Sequence, residues 1–421
     1  MLFEDFASAQ SVLLWSIFVL ALIMGAVVNK TNFCTMGAVS DIVNIGDSGR
    51  MRAWFLAVAV AMLGVVIFEA TGSASVDGTF PPYRGSTITY AENILGGIMF
   101  GIGMTFASGC GNKTLIRIGA GNLKSIFVLL IIGVIAYFMI NPFPGTDITL
   151  MSALFYDWIR PMSLSLTGPS DLGSIVGGEE NAGSMRTYIG AGLGILLLII
   201  VFKSAEFRKE FDNIFAGIVI GGIILAAWYI TSNIGVSLDG ETFKLNAVVS
   251  GWDFIMDDGP GKPAAAAPWS TQSFTFINPM GQSLGYAASG FNYSLLTFGV
   301  MALAGVISGS FLWALISRSF RIEWFVDFKD FLMHAIGAVL MGFGGVLAVG
   351  CTVGQAITGT STLAVGSMLS FAAIVFGSAM TMKVQYYKMC YEEEATLMKS
   401  IITALVDFRM LPSAMRKLEA I

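Results

Sequence analysis

Three cysteines stand in short polar segments of an otherwise apolar chain. Cys34 lies in "NFCTMG", Cys110 in "SGCGNK" and Cys351 in "VGCTVG". A buried neutral thiol is a weak hydrogen-bond donor with a soft, polarisable sulfur, which suits an oxyanion that carries a terminal sulfur. Disulfide or persulfide chemistry is the alternative, although no two cysteines have the CxxC spacing that favours it. We interpret Cys390, near the C-terminus, as incidental.

The residues that follow Cys110 and Cys351 favour the binding of an anion. The segments "NKTLIRIG" and "TVGQAITG" each predict a short helix. A helix N-terminus presents unpaired N–H groups and a partial positive charge, so two facing N-termini form an anion site. The charge of Lys113 has a second interpretation, because basic residues also collect in ordinary cytoplasmic loops. The candidate substrate contacts are Asn32, Gly109, Gly111, Asn112, Lys113, Thr114, Gly350, Thr352 and Gln355.

An internal repeat connects two of these motifs. "GGIMFGIGMTFASGC" (96–110) and "GAVLMGFGGVLAVGC" (337–351) align at an offset of 241 residues, with an identical glycine or cysteine at five positions. Glycine packing of the GxxxG kind explains the glycines but not the matched cysteine. A looser match joins 29–47 to 277–290. The pattern predicts an inverted repeat, which places a transport site between two halves of the molecule.

The chain that carries these motifs has the composition of a membrane protein. Of its 421 residues, 55% are hydrophobic and 12% are charged, whereas soluble domains have about twice that charged fraction. Continuous apolar runs indicate helices rather than a membrane barrel. The chain has one histidine and lacks CxxC, HExxH and carboxylate clusters. We therefore expect no metal, no cofactor, no catalytic activity and no nucleic-acid partner.

Nine apolar segments are candidates for membrane spans. We predict an all-α polytopic membrane protein with about nine transmembrane helices, short re-entrant helices and an inverted internal repeat. The first segment lacks a basic leader and a cleavage site, so we expect it to be retained. The segments are about 11–28, 53–70, 93–107, 125–140, 187–202, 214–230, 294–316, 331–349 and 363–382.

The distribution of basic residues predicts the orientation and a division of the chain. Alternating loops place 18 lysines and arginines on one side and 5 on the other, which puts the N-terminus outside and the C-terminus in the cytoplasm. The predicted tail helix suits the membrane surface. The predicted parts are a first repeat half (1–140), outer loops with linking spans at 187–202 and 214–230 (141–292), a second half (293–385, or from near 277) and a cytoplasmic tail helix (386–421).

The motifs "NFCTMGAVSD", "GIGMTFASGCGNKTLIRIGAGN" and "GFGGVLAVGCTVGQAITGTS" resemble those of the YeeE/YedE family of bacterial inner-membrane sulfur transporters. The resemblance covers about 11–140 and 277–382. It implies uptake of thiosulfate or a related sulfur compound through an hourglass of helices. It also implies that Cys34, Cys110 and Cys351 pass the ion along by S–H···S contacts without being oxidised.

One residue departs from this family, and two other functions stay open. Family members often have histidine four residues after the second-half cysteine, where this chain has Gln355, which donates a hydrogen bond but does not titrate. A small soluble cytoplasmic sulfurtransferase is an expected partner by family association, beside the lipid bilayer. The alternatives are transport of sulfite, sulfide, a persulfide or selenite, and a membrane redox protein that cycles its cysteines.

Overall fold

The computed structural model describes residues 1–238, 240–252 and 269–419. Within these residues, nine helical segments are long and apolar enough to cross a membrane, which confirms the predicted all-α polytopic fold. Most spans begin or end within a few residues of the predicted limits. The segments are Phe6–Ile45, Gly49–Thr71, Tyr90–Gly119, Leu123–Ile140, Leu172–Phe202, Phe211–Asn233, Phe298–Ile316, Phe328–Leu347 and Val365–Tyr391.

The first part of the chain forms six α-helices, two of them short. A left-handed residue, Asn32, ends the first helix, and the second continues as a π-helix, π1 (Asp41–Ile45). The short helices are therefore separated from the spans before them by sharp turns. The α-helices are α1 (Phe6–Thr31), α2 (Thr35–Ser40), α3 (Gly49–Thr71), α4 (Tyr90–Phe106), α5 (Gly111–Gly119) and α6 (Leu123–Ile140).

The rest of the chain repeats this order after a connecting region. That region contains π2 (Ser152–Tyr156), α7 (Asp157–Ile159) and the long helix α8 (Leu172–Phe202), which has a non-helical residue at Gly178. The later elements are α9 (Phe211–Asn233), α10 (Leu245–Ser250), α11 (Ile277–Ala288), α12 (Phe298–Ile316), α13 (Phe328–Leu347), π3 (Val353–Gly359), α14 (Val365–Tyr391) and α15 (Leu397–Asp407).

The two copies of the glycine repeat cross each other in opposite directions. A Cβ atom added at Gly103 would lie 2.6 Å from the carbonyl oxygen of Gly337, and one added at Gly344 would lie 2.6 Å from that of Gly96. Helices α4 and α13 are therefore antiparallel and touch backbone to backbone. Such close contact requires glycine at the crossing point, because any side chain would separate the helices.

The packing of the other helices follows the same symmetry. Helix α4 packs on α14 and α13 packs on α6, while α12 lies against α1 and α3 lies against α9. Thus α1 and α9 occupy equivalent places. This pairing favours a second repeat half that begins with α9, which extends the predicted half (293–385, or from near 277) back to Phe211. Helix α8 packs on α3 and has no counterpart in the first copy among the described residues.

Short strands and the tail complete the structure. Strand β1 (Leu2–Phe3) pairs with β4 (Gly235–Leu238), which pairs with β5 (Glu241–Lys244). Strands β2 (Thr87–Ile88) and β3 (Leu164–Ser165) form an antiparallel pair. In the tail, α14 continues to Tyr391 and α15 packs on it, although the sequence predicted a separate tail from residue 386.

Candidate functional site

Four short helices begin next to one another in the centre of the molecule. Helix α2 follows Cys34, α5 follows Cys110, α11 follows Phe276 and π3 starts two residues after Cys351. A Cβ atom added at Gly111 would lie 3.2 Å from Cδ1 of Ile277 and 3.9 Å from Cβ of Cys351. The N-terminal ends of α5, α11 and π3 therefore meet.

The three cysteines line this centre and are buried. Exposed fractions are 4% for Cys34, 1% for Cys110 and 0% for Cys351. The thiols of Cys34 and Cys110 adjoin each other, and the hydroxyl of Thr352 adjoins Cys110. The sequence prediction placed these cysteines on one path, and the structure brings them together. Cys390 is exposed on the last turn of α14, away from them.

The turns before Cys110 and Cys351 are built in the same way. Ser108 and Val349 both have left-handed backbone conformations, with φ angles of 56° and 59°. The next residue in each copy closes the helix by donating its N–H to a carbonyl oxygen five residues back, at 2.8 Å in both cases. A left-handed conformation is unfavourable for residues other than glycine. Its occurrence at both positions indicates that the turn itself is duplicated.

Several of the predicted substrate contacts are engaged with the protein. The ammonium of Lys113 donates to Oδ1 of Asn32 at 3.0 Å. The hydroxyl of Thr114 donates to the Cys110 carbonyl at 3.1 Å, which is a bond within its own helix. The Gln355 amide donates to the carbonyl of Ala348 at 2.6 Å. Gln355 therefore stabilises the turn before Cys351 and keeps one amide hydrogen for other partners.

Other buried polar groups at the centre have no hydrogen-bond partner among the residues that the structure describes. They include the hydroxyls of Thr35 and Thr352 and Oδ1 of Asn112. An unpaired buried polar group costs about 1–3 kcal/mol. Such groups therefore indicate a place where a ligand or water belongs. Thr352 and Asn112 were predicted contacts. Thr35 was not, although it repeats the Cys-Thr order of Cys351-Thr352.

The predicted glycines lie in the same turns. A Cβ atom at Gly109 would lie 3.1 Å from Cγ of Lys113, and one at Gly350 would lie 3.2 Å from the hydroxyl of Thr275. Gly350 has a φ angle of 158°, close to extended. Their absent side chains leave room for neighbouring polar groups to approach the backbone.

A cavity of about 390 Å³ opens next to Cys34 on one side of the centre. We call it the basic cavity, because its lining includes Arg50, Lys113, Arg117 and Arg321. Arg50 pairs with Asp41, and Glu323 is the single acidic residue among those that line the cavity. The surplus of positive charge favours an anionic substrate here.

A smaller cavity of about 50 Å³ lies on the other side of the centre. We call it the mouth cavity, and its lining includes Tyr83, Asn93, Val349 and Gln355. It has room for a few water molecules at most. Residues of two chain segments, 81–89 and 164–171, also line it. We call these segments the strap.

The strap is held by main-chain bonds and ion pairs. Strands β2 and β3 join its two segments, and Ser170 accepts a hydrogen bond from the N–H of Val365 at 3.1 Å. Asp171, at its end, accepts from the Arg186 guanidinium at 2.9 and 3.0 Å. Arg84 donates to the Thr362 carbonyl at 2.9 Å. These bonds tie the strap to α8 and to the start of α14.

Residues 1–238, 240–252 and 269–419 contain no group of three or more His, Cys, Asp and Glu side chains placed to hold an ion. The polar groups at the centre are thiols, hydroxyls, amides and helix N–H groups. This chemistry suits an anion with oxygen and sulfur atoms rather than a cation.

Comparison with known proteins gives one family and two relatives. A family described as sulphur transport matches residues 30–380. The thiosulfate transporter TsuA of Escherichia coli (strain K12) is 22% identical over 375 residues, which cover 84% of this chain and 90% of the relative. The thiosulfate transporter TsuA of Spirochaeta thermophila is 22% identical over 373 residues, which cover 87% and 97%. The similarity thus extends over most of the membrane core.

Proposed function

Because the chain belongs to the sulphur transport family, we propose that it takes up thiosulfate, or a closely related sulfur-containing anion, across the bacterial inner membrane. The observation that carries this proposal is the meeting of buried thiols, unpaired hydroxyls and helix N-termini at one point. The names of the two relatives, both thiosulfate transporters, support the same substrate class.

The proposed path runs from the mouth cavity past Cys351, Cys110 and Cys34 to the basic cavity. The N–H groups of the helix N-termini replace part of the hydrogen bonds that the anion loses when it leaves water. Each thiol provides a polarisable contact for the terminal sulfur. Lys113 lines the basic cavity together with Cys34, the last thiol of the proposed path. Its ammonium group attracts the anion as it leaves the thiols. The contacts are neutral until that point, so the anion is not held tightly midway.

The proposed orientation places the basic cavity in the cytoplasm and the mouth cavity outside. It follows from the bias of 18 basic residues to 5 between the two sides. With this orientation the N-terminus is outside and the C-terminus cytoplasmic. A small soluble sulfurtransferase at the basic face stays a prediction from the family resemblance.

Replacement of single cysteines tests the proposal. In a strain that depends on this protein for thiosulfate, Cys110→Ala and Cys351→Ala should each abolish uptake of labelled thiosulfate. Cys390→Ala is the matched control, because this exposed thiol lies off the path, and it should retain full uptake. Undiminished uptake by both buried variants, at equal expression, would refute the role of the thiols.

The contact between Cys34 and Cys110 favours one second candidate, a redox protein that cycles these thiols. That function predicts a change in protein mass, from a disulfide or an added sulfur, after exposure to thiosulfate. We expect both thiols to remain intact during uptake. Competition between labelled thiosulfate and sulfite, sulfide or selenite decides the ion accepted, and preference for an ion without a terminal sulfur would contradict the proposed substrate.

A further inference from the structure

We propose that the hydroxyls of Thr275 and Tyr83 bind the oxygen-bearing end of the anion beside Cys351 and thereby select for oxyanions. This inference rests on the proposed function and adds two residues to its site. Neither residue belongs to a cysteine motif. Thr275 precedes α11, and Tyr83 lies in the strap, far from Cys351 in sequence.

Thr275 packs against the turn that contains Gly350 and Cys351. Its hydroxyl adjoins the Cys351 sulfur. A Cβ atom at Gly354 would lie 2.5 Å from that hydroxyl oxygen, and one at Gly350 would lie 3.2 Å from it. Two glycines thus make room for the hydroxyl. It is buried and, within the described part of the chain, has no hydrogen-bond partner.

Tyr83 extends from the strap toward π3, the helix that follows Cys351. A Cβ atom at Gly359 would lie 2.8 Å from its Cδ1 atom, so the ring packs directly on π3. The ring also meets Trp228 edge to face, with 6.4 Å between centroids. Its hydroxyl is buried and unpaired among the described residues, and it borders the mouth cavity together with Gln355.

The protonation state of Tyr83 suits a donor. Burial raises the pKa of Tyr83 far above its usual range. The phenol therefore keeps its proton at every pH at which the protein works. A neutral O–H group donates to an oxyanion without adding a charge that would trap it.

Selection follows from the cost of unpaired donors. A buried hydroxyl without a partner is unfavourable, and an anion that brings oxygens removes that cost. A site built to bond such atoms discriminates strongly against a ligand that lacks them. Hydrosulfide has sulfur and no oxygen, whereas sulfite has oxygens and no terminal sulfur. Cys351 contacts the sulfur end of the substrate, and Thr275 and Tyr83 contact its oxygen end.

Thr275→Val tests the inference, because valine keeps the shape and removes the hydroxyl. We expect its half-saturation concentration for thiosulfate to rise about tenfold at unchanged maximal rate, with thermal stability equal to or above that of the wild type. Thr358→Val is the matched control. The Thr358 hydroxyl donates to the Phe274 carbonyl at 2.7 Å, so this variant should lose stability and keep its half-saturation concentration.

Competition separates the two ends of the substrate. Sulfite should inhibit thiosulfate uptake less in Thr275→Val and in Tyr83→Phe than in the wild type. Hydrosulfide leaves the hydroxyls unpaired in the wild type, so it should inhibit the two variants at least as strongly as the wild type. Wild-type half-saturation in both variants would overturn the inference. If Cys351→Ala abolishes uptake in the same experiment, the proposed function stands even then. If the wild type takes up no labelled thiosulfate, the proposed function itself fails.

Discussion

The antiparallel crossing of α4 and α13 makes a stability prediction that can be worked out from distances. In Gly103→Ala the new Cβ atom would lie 2.6 Å from the Gly337 carbonyl oxygen and 2.8 Å from the Met341 nitrogen. Both neighbours are backbone atoms, which cannot rotate away as a side chain can. The helices must therefore move apart, and the packing that holds the two halves together is lost.

The cost of overpacking at this crossing is the difference in unfolding free energy between two glycine-to-alanine variants, Gly103→Ala and Gly222→Ala. Overpacking of this kind costs about 1–3 kcal/mol, while alanine in place of glycine gains about 0.5–1 kcal/mol within a helix. Gly222→Ala, on α9, adds a Cβ atom with no atom within 4 Å among the described residues and shows the helix gain alone. Subtracting one from the other isolates the packing cost of about 1–3 kcal/mol.

The assay is thermal unfolding of the purified variants in detergent, together with thiosulfate uptake in cells. Gly103→Ala should unfold several degrees below Gly222→Ala. It should also transport more slowly, because α4 and α13 lead directly to Cys110 and Cys351. If the two variants unfold at the same temperature and transport equally, then α4 and α13 do not cross at this glycine, and the symmetry argued from it fails.

Two further predictions concern the strap. Burial raises the pKa of Asp171, but Arg186 and other partners lower it by more, so that the net shift is downward. This pair then stabilises the fold above the usual carboxyl pKa and loses that effect as the pH falls below about 4. Asp171→Ala should cost about 3–5 kcal/mol at neutral pH and remove this part of the acid sensitivity in thermal unfolding. The mouth cavity of about 50 Å³ is too small to pass the anion, so we expect β2 and β3 to separate during uptake. Thr87→Cys with Ser165→Cys, which are paired across β2 and β3, should then form a disulfide that stops uptake until it is reduced, and full uptake by the oxidised form would show that the two strands need not separate.

The sequence predicted the membrane core well because its signals are local. Continuous apolar runs define spans, and glycines matched at one offset indicate a shared helix contact. Gly96 and Gly337 are equivalent in the alignment, and the structure places both at the crossing of α4 and α13. The short helices after Cys110 and Cys351 were also predicted, although nothing in the pattern distinguishes the π-helix π3 from an α-helix.

Other features were missed because they depend on partners elsewhere in the chain. Thr275 reaches Cys351 only through the folding of the segment before α11, and Tyr83 reaches π3 only through the folding of the strap. The polar first part of α8 has no apolar run, yet Asp171 caps it. In the tail, the helix begins at Leu397 and not at the run of glutamates before it. Those acidic residues follow the C-terminal end of α14, where negative charge is unfavourable.

The equivalence of the two halves makes their chemical difference informative. Phe276 stands before α11 as Cys34 stands before α2, so the repeat supplies four matching helix starts and only three thiols. The missing thiol is on the side of the mouth cavity, where Thr275 and Tyr83 offer neutral hydroxyls. The side of Cys34 instead has Lys113 and further basic residues. An anion that crosses a symmetric scaffold would therefore meet neutral donors first and positive charge last, and the side chains rather than the fold would give the path its direction.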